Sequence, residues 1–173
     1  MYMAQMDRDT LQTLSDEKLG RACMEPTFML IRGKQPAVKA EVIGQLGKGQ
    51  RALCMFRVFY DHSYKSAPEY YVWLSYMLDM PGYWSGVQDG LLFFDDTAMI
   101  RLLEETRDTL ELRNRRLGRQ WSDAVFSDLE KDLELAGQIA VDYERFQRLS
   151  AESLAAIAAY IRTNPEEFVE LTV

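Results

Sequence analysis

With 173 residues, 47% of them hydrophobic and 27% charged, the chain has the length and composition of one globular domain with a buried core. The formal net charge of −7 argues against a phosphate backbone as partner, so nucleic acid is not expected. No apolar run approaches the roughly 20 residues that a bilayer-crossing helix needs, so no membrane segment is expected.

The opening Met1-Tyr2-Met3-Ala4-Gln5-Met6-Asp7 has no basic stretch followed by an apolar core. It does not read as a signal peptide, and the expected setting is cytoplasmic. Cys23 and Cys54 then read as buried thiols, not as a disulfide. The acidic excess is uneven. Residues 1–122 carry sixteen acids and sixteen bases, whereas residues 123–173 carry eleven acids and four bases. That acidic last third is either a solvated face or a docking surface for a basic partner.

Strand signals are weak. Alternating β-branched runs are absent, and Asp89-Gly90 joins no matching pair of apolar runs. Helix signals recur along the whole chain. Ser15 or Asp16 caps a helix carrying Leu19, Ala22 and Cys23, and Pro26 marks a second start before Phe28 to Ile31. Pro36 opens a helix through Val38, Val42 and Leu46, with a break expected near Gly47-Lys48. That Gly-Lys-Gly lacks the spacing of a phosphate loop. A core helix is expected from about Gln50 to Asp61, apolar around most of its surface.

Ser66-Ala67-Pro68-Glu69 combines a cap, an early proline and a glutamate three residues on. The helix it starts carries Tyr70, Tyr71, Trp73, Leu74 and Met77 and ends at Pro81-Gly82. Trp84 to Phe94 makes one or two turns. Asp95 or Asp96 caps a long helix to about Leu117, with Met99, Leu103, Leu110 and Leu117 on one stripe and Thr106 and Arg113 in its gaps. Gly118 is its C-terminal cap. Ser122 or Asp123 starts the longest helix, to about Arg148, with Phe126, Leu129, Leu133, Ala136, Ala140 and Tyr143 turned inward. Ser150 caps the next helix, and Asn164-Pro165-Glu166-Glu167 starts a final one. The expected fold is all-α, a single domain over residues 1–173 built as a bundle of seven to nine helices.

Chemistry is sparse. One histidine and two separated cysteines make no zinc set, no Glu-x-x-His pair serves a di-iron bundle, and no G-x-S-x-G occurs. No catalytic residue, metal or cofactor is expected. The four arginines 113, 115, 116 and 119 compensate a helix end, bind a phosphate, or pair with the acidic end of the same chain.

Residues 56–94 hold twelve of the twenty aromatics. So many tyrosine and tryptophan polar tips are costly to bury without partners. The region is therefore either a core with tips at its edge or a cleft. The candidate ligand-binding residues of such a cleft are His62, Tyr64, Tyr70, Trp73 and Trp84, with the tryptophans stacking a flat or apolar ligand. His62, at a helix end, also fits a plain role against the last carbonyls.

Phe56-x-Val58-Phe59-Tyr60-Asp61-His62, Glu69-Tyr70-Tyr71-x-Trp73 and Pro81-x-x-Trp84 resemble small uncharacterised bacterial all-helical proteins. The resemblance covers about 40 residues. It implies a bacterial setting and carries no activity with it. Two functions follow from the residues. One is a non-enzymatic protein-interaction or regulatory module, with self-association through the long amphipathic helices 96–117 and 122–148. The other is a small-molecule site around His62.

Overall fold

The computed structural model describes residues 3–173; Met1 and Tyr2, where the reading of the leader sequence begins, lie outside the described residues. A short strand, β1 (Ala4–Asp7), leads into α1 (Arg8–Thr13) and α2 (Asp16–Ile31). The small helix α3 (Pro36–Gly44) follows, then α4 (Lys48–Ser63), α5 (Ala67–Asp79) and α6 (Tyr83–Phe93). The long helix α7 (Thr97–Leu117) comes next. A 3-10 turn at Trp121–Asp123 and the one-turn α8 (Asp128–Lys131) lead to α9 (Leu133–Thr163). After a 3-10 turn at Pro165–Glu167, β2 (Val169–Thr172) pairs in parallel with β1, Ala4 opposite Val169. The fold is an all-α bundle of nine helices among the described residues, with this one pair of strands added. No helix of the described residues is long and apolar enough to cross a membrane.

The caps explain where several helices begin. Ser15 Oγ accepts from the Lys18 amide, Ser66 Oγ from the Glu69 amide, and Asp96 Oδ1 from the Met99 amide. At the far end of α7, Gly118 adopts φ 63°. There the Arg119 amide donates to the Asn114 carbonyl and the Gly118 amide to Arg115, which closes the helix in a Schellman turn.

α4 is the centre of the core. Leu53, Phe56 and Phe59 are fully buried, and Phe59 meets Phe146 of α9 edge to face at 5.4 Å. Arg57 is also fully buried there. Its guanidinium donates to the Glu17 carbonyl and to the carboxylates of Glu17 and Asp61, and its charge is thereby paired.

Four sequence expectations give way. Pro26 starts no helix but lies inside α2, whose other backbone bonds and buried Leu19, Cys23, Met24 and Ile31 carry the helix past it. Ser150 caps nothing. It is buried within α9, its hydroxyl bonded back to the Phe146 carbonyl. The expected helix from Ser122 does not run unbroken: a 3-10 turn, a loop and the single turn of α8 precede Asp132, whose Oδ1 takes the Leu135 amide and sets the start of α9. Asn164 opens only a single 3-10 turn at Pro165–Glu167, not a full helix; its side-chain amide closes α9 by donating to the Tyr160 carbonyl, and the chain then turns into β2.

Moving the start of α9 also changes its inward face. Leu135, Ile139, Asp142 and Phe146 point into the core, while Leu133, Ala140 and Val141 face outward. The α7 stripe holds except at Leu117, which is half exposed. Thr106 fills its gap with a purpose, because its hydroxyl joins Tyr70 to the buried carboxylate of Asp142.

The arginine cluster pairs with the acidic end of the same chain. Arg113 binds Asp132 and Arg119 binds Asp128, while Arg115 reaches back to Glu111.

Candidate functional site

The chain's aromatic stretch divides between core and cleft. Tyr70 is fully buried, its ring 5.0 Å from Phe146 and its hydroxyl 3.0 Å from Thr106 Oγ1. Tyr64 turns toward α9, where its carbonyl accepts from the Tyr143 hydroxyl. Trp84 lies on the α6–α7 side under the Arg107 guanidinium, 5.3 Å from the ring centre. None of these three lines the cleft that holds the other two candidates.

That cleft is about 400 Å³ and lies where α3 crosses the ends of α2 and α4. His62 comes from the last turn of α4 and Trp73 from the second turn of α5. Their rings stack at 3.9 Å between centroids, with 22° between planes. The stack continues to Tyr76, 4.9 Å beyond Trp73, and Tyr76 meets Tyr83 of α6 edge to face. Trp73 and Tyr76 share a face because they are three residues apart on one helix. Phe28 and Ile31 of α2 and Val58 of α4 form the apolar floor.

α3 supplies the other wall with Lys39 and Ile43. No residue of α3 is buried. Its end is held from below by Arg51, whose guanidinium donates to the Gly44 and Leu46 carbonyls. A second hollow of about 420 Å³ adjoins on the far side of α3 and shares Lys39, Ile43, Tyr76 and Tyr83. α3 thus lies between two adjoining hollows that share these residues and together make an aromatic-lined trough.

The polar groups of the cleft are few. Among the described residues, neither ring nitrogen of His62 has a hydrogen-bond partner, and the Trp73 indole N–H is buried without one. Asp61 lies beside His62 in sequence but gives its carboxylate to Arg57. His62 therefore has no orienting carboxylate of the kind a general base uses. Burial pushes the His62 imidazole below its ordinary value of 6.5; Lys65 adds to this and Asp61 opposes it. Lys39 is the cation of the rim that joins no ion pair among the described residues; Arg32 pairs with Glu25 at 3.6 Å, and Asp61 also lines the cleft. Cys54 is no nucleophile here: burial pushes its thiol, and that of Cys23, up to about 12. Among the described residues, no group of three or more histidine, cysteine, aspartate and glutamate side chains could hold a metal ion.

Sequence reasoning located His62 and Trp73 but missed Tyr76, Tyr83, Lys39 and the α2 floor. Tyr76 could have been found, three residues from Trp73 on the same helix. Lys39 and Phe28 could not, because nothing local places α2 and α3 over the end of α4. No protein-family model, curated protein or solved structure matches the chain.

Proposed function

We propose that the chain is a non-catalytic binding module whose trough beneath α3 holds a planar aromatic acid. The observation that carries this reading is the His62–Trp73–Tyr76 stack, which forms one wall of a cleft large enough for a ring system. A flat ligand extends that stack, and offset or tilted ring contacts add to its buried area. Lys39 at the rim selects a negative substituent over a positive one. A lone His62 with no carboxylate partner suits contact with a ligand, not proton abstraction from it.

The test uses 1-anilinonaphthalene-8-sulfonate, a planar aromatic anion. Binding to the cooperatively folded chain enhances dye emission and quenches tryptophan. Lys39→Glu weakens binding roughly tenfold, the scale of a reversed partly shielded charge contact. N-phenyl-1-naphthylamine, the neutral analogue, is insensitive to Lys39→Glu. Trp84→Ala, outside the cleft, leaves dye affinity unchanged. Equal affinity of wild type, Lys39→Glu and His62→Ala for the dye rejects the assignment.

A protein-interaction role has its own support, independent of the cleft. Leu112 on α7 and Leu133 on α9 are respectively 68% and 83% exposed and line one shallow groove. Large apolar side chains placed together in water favour association, here self-association through the long helices.

A further inference from the structure

The cleft offers a ligand few polar atoms. The Trp73 indole nitrogen is sealed in the protein, whereas the two ring nitrogens of His62 have no partner among the described residues and stay open to solvent. Trp73 covers one face of the imidazole at 3.9 Å. The nitrogens lie in the plane of that ring, so the stack leaves their edge free. Lys39 stands on the facing wall, on α3, and joins no ion pair among the described residues. His62 and Lys39 are thus two unengaged nitrogen donors on opposite sides of one cleft.

The charges around His62 decide which state it holds. Asp61 precedes it on α4 but gives its carboxylate to Arg57. Glu69 on α5 favours a proton on the imidazole, while Lys65 in the turn after α4 and Lys39 on α3 oppose one. Arg32 of α2 lines the same cleft and is paired with Glu25. Tyr76 and Tyr83 add no charge near neutral pH.

Two facing cations repel, and burial adds to that cost, so the imidazole beside Lys39 stays neutral at neutral pH. An anion between them reverses the balance. It attracts both cations, and the neutral imidazole becomes a charged donor to it. A ligand that brings an acid group therefore also brings the condition under which His62 holds a proton.

We propose that the ligand's acid group is clamped between Lys39 of α3 and the protonated imidazole of His62, so that the anion enters the trough together with a proton. This rests on the aromatic-acid reading of the trough and adds to it the place of the acid group and the pH range in which the site takes its ligand.

The experiment follows two readouts: fluorescence titration with 1-anilinonaphthalene-8-sulfonate, whose sulfonate stays charged throughout, and the ring-proton resonance of the chain's single histidine. Wild type binds the dye roughly fivefold more tightly at about pH 5.5 than at about pH 7.5, and saturating dye raises the His62 midpoint by about one pH unit. The two changes must agree, because the coupling between proton and dye is reciprocal. A purely structural role for His62 moves neither. N-phenyl-1-naphthylamine, which carries no acid group, gives no rise in the midpoint. In His62→Gln the dye affinity is the same at both pH values. Lys39→Glu raises the His62 midpoint of the dye-free protein, since a facing acid replaces a facing base. Dye affinity in wild type that is flat between these pH values, a pH dependence that persists in His62→Gln, or a midpoint unmoved by dye overturns the clamp and leaves the aromatic-acid reading standing. No dye binding at any pH rejects that reading and the clamp together.

Discussion

Gly90 of α6 lies directly on the backbone of Ala52 in α4: a methyl group on Gly90 would fall 2.8 Å from the Ala52 carbonyl oxygen and 3.3 Å from its Cα. Backbone cannot move aside as a flexible side chain can. The glycine is what lets α6 pack this closely on the central helix, and through Tyr83 it sets where one wall of the trough stands. Gly90→Ala therefore costs about 1–3 kcal/mol by overpacking. Thermal unfolding of the variant should fall by about 5 °C, at roughly 2–4 °C per kcal/mol for a chain of this size. A melting temperature equal to or above that of wild type contradicts the close contact.

His62 offers an unambiguous titration because it is the chain's single histidine. Burial against Trp73 lowers its affinity for a proton, assisted by Lys65 and Lys39 and opposed by Asp61 and Glu69. Its ring-proton resonance should titrate with a midpoint below 6.5. The unfolded chain then binds the proton more readily than the folded one. The stability due to the neutral, stacked imidazole is thus present above about pH 6.5 and is lost as pH falls through the lower folded value. Urea midpoints measured between about pH 7.5 and 5 should fall more steeply for wild type than for His62→Gln. A ring-proton midpoint at or above 6.5 rules out the burial that the cleft geometry requires.

How far the sequence carried this structure depends on range. Ser66, Asp96 and Gly118 act within one helical turn, and each was legible as a cap. The start of α9 was not, because the local signal at Ser122 competes with Asp132. Asp132 prevails by capping Leu135 while also binding Arg113 on α7, a tertiary contact. The strands were missed for the same reason. Ala4–Asp7 and Val169–Thr172 are too short to announce themselves, and each exists because the other lies alongside. In the site, helix spacing could have tied Tyr76 to Trp73, but only packing brings Phe28 and Lys39 to His62.

Asp128 accepts four hydrogen bonds from three residues. It accepts from the Arg119 guanidinium at 3.0 and 2.9 Å, from the Tyr71 hydroxyl at 2.7 Å and from the Val125 amide at 3.1 Å. Burial alone would raise its pKa, but these hydrogen bonds together hold it below the ordinary carboxylate value. Asp128→Ala leaves a hydroxyl and a guanidinium without their acceptor and should cost about 2–3 kcal/mol in urea unfolding. Tyr71→Phe, which removes one bond and keeps the ring, should cost about 1 kcal/mol. The double variant should cost less than the sum, because the partners are shared. Since the folded pKa is lowered, this stabilisation is present above about pH 4 and lost as pH falls through the folded value. Full additivity of the two single variants would mean that the network does not act as a unit.

Pro26 opposes the helix containing it more strongly than any glycine does. It lies inside α2, ten residues beyond the helix start, and can supply no amide hydrogen to the Ala22 carbonyl. An interior proline costs a helix about 3 kcal/mol, part of it in the isolated chain and part in the lost bond. The buried neighbours Cys23, Met24 and Thr27 hold α2 together across it. Replacing the ring with alanine restores the donor, but it also removes half-buried packing and frees the unfolded chain. Pro26→Ala should therefore stabilise the protein by only about 1 kcal/mol, read as a higher urea midpoint at unchanged m-value. The same substitution should leave dye binding in the cleft unchanged, because Phe28 and Ile31 keep their places on a helix that already continues through Pro26 to them. A loss of stability in this variant would mean that the proline ring contributes more by packing than its missing amide costs α2.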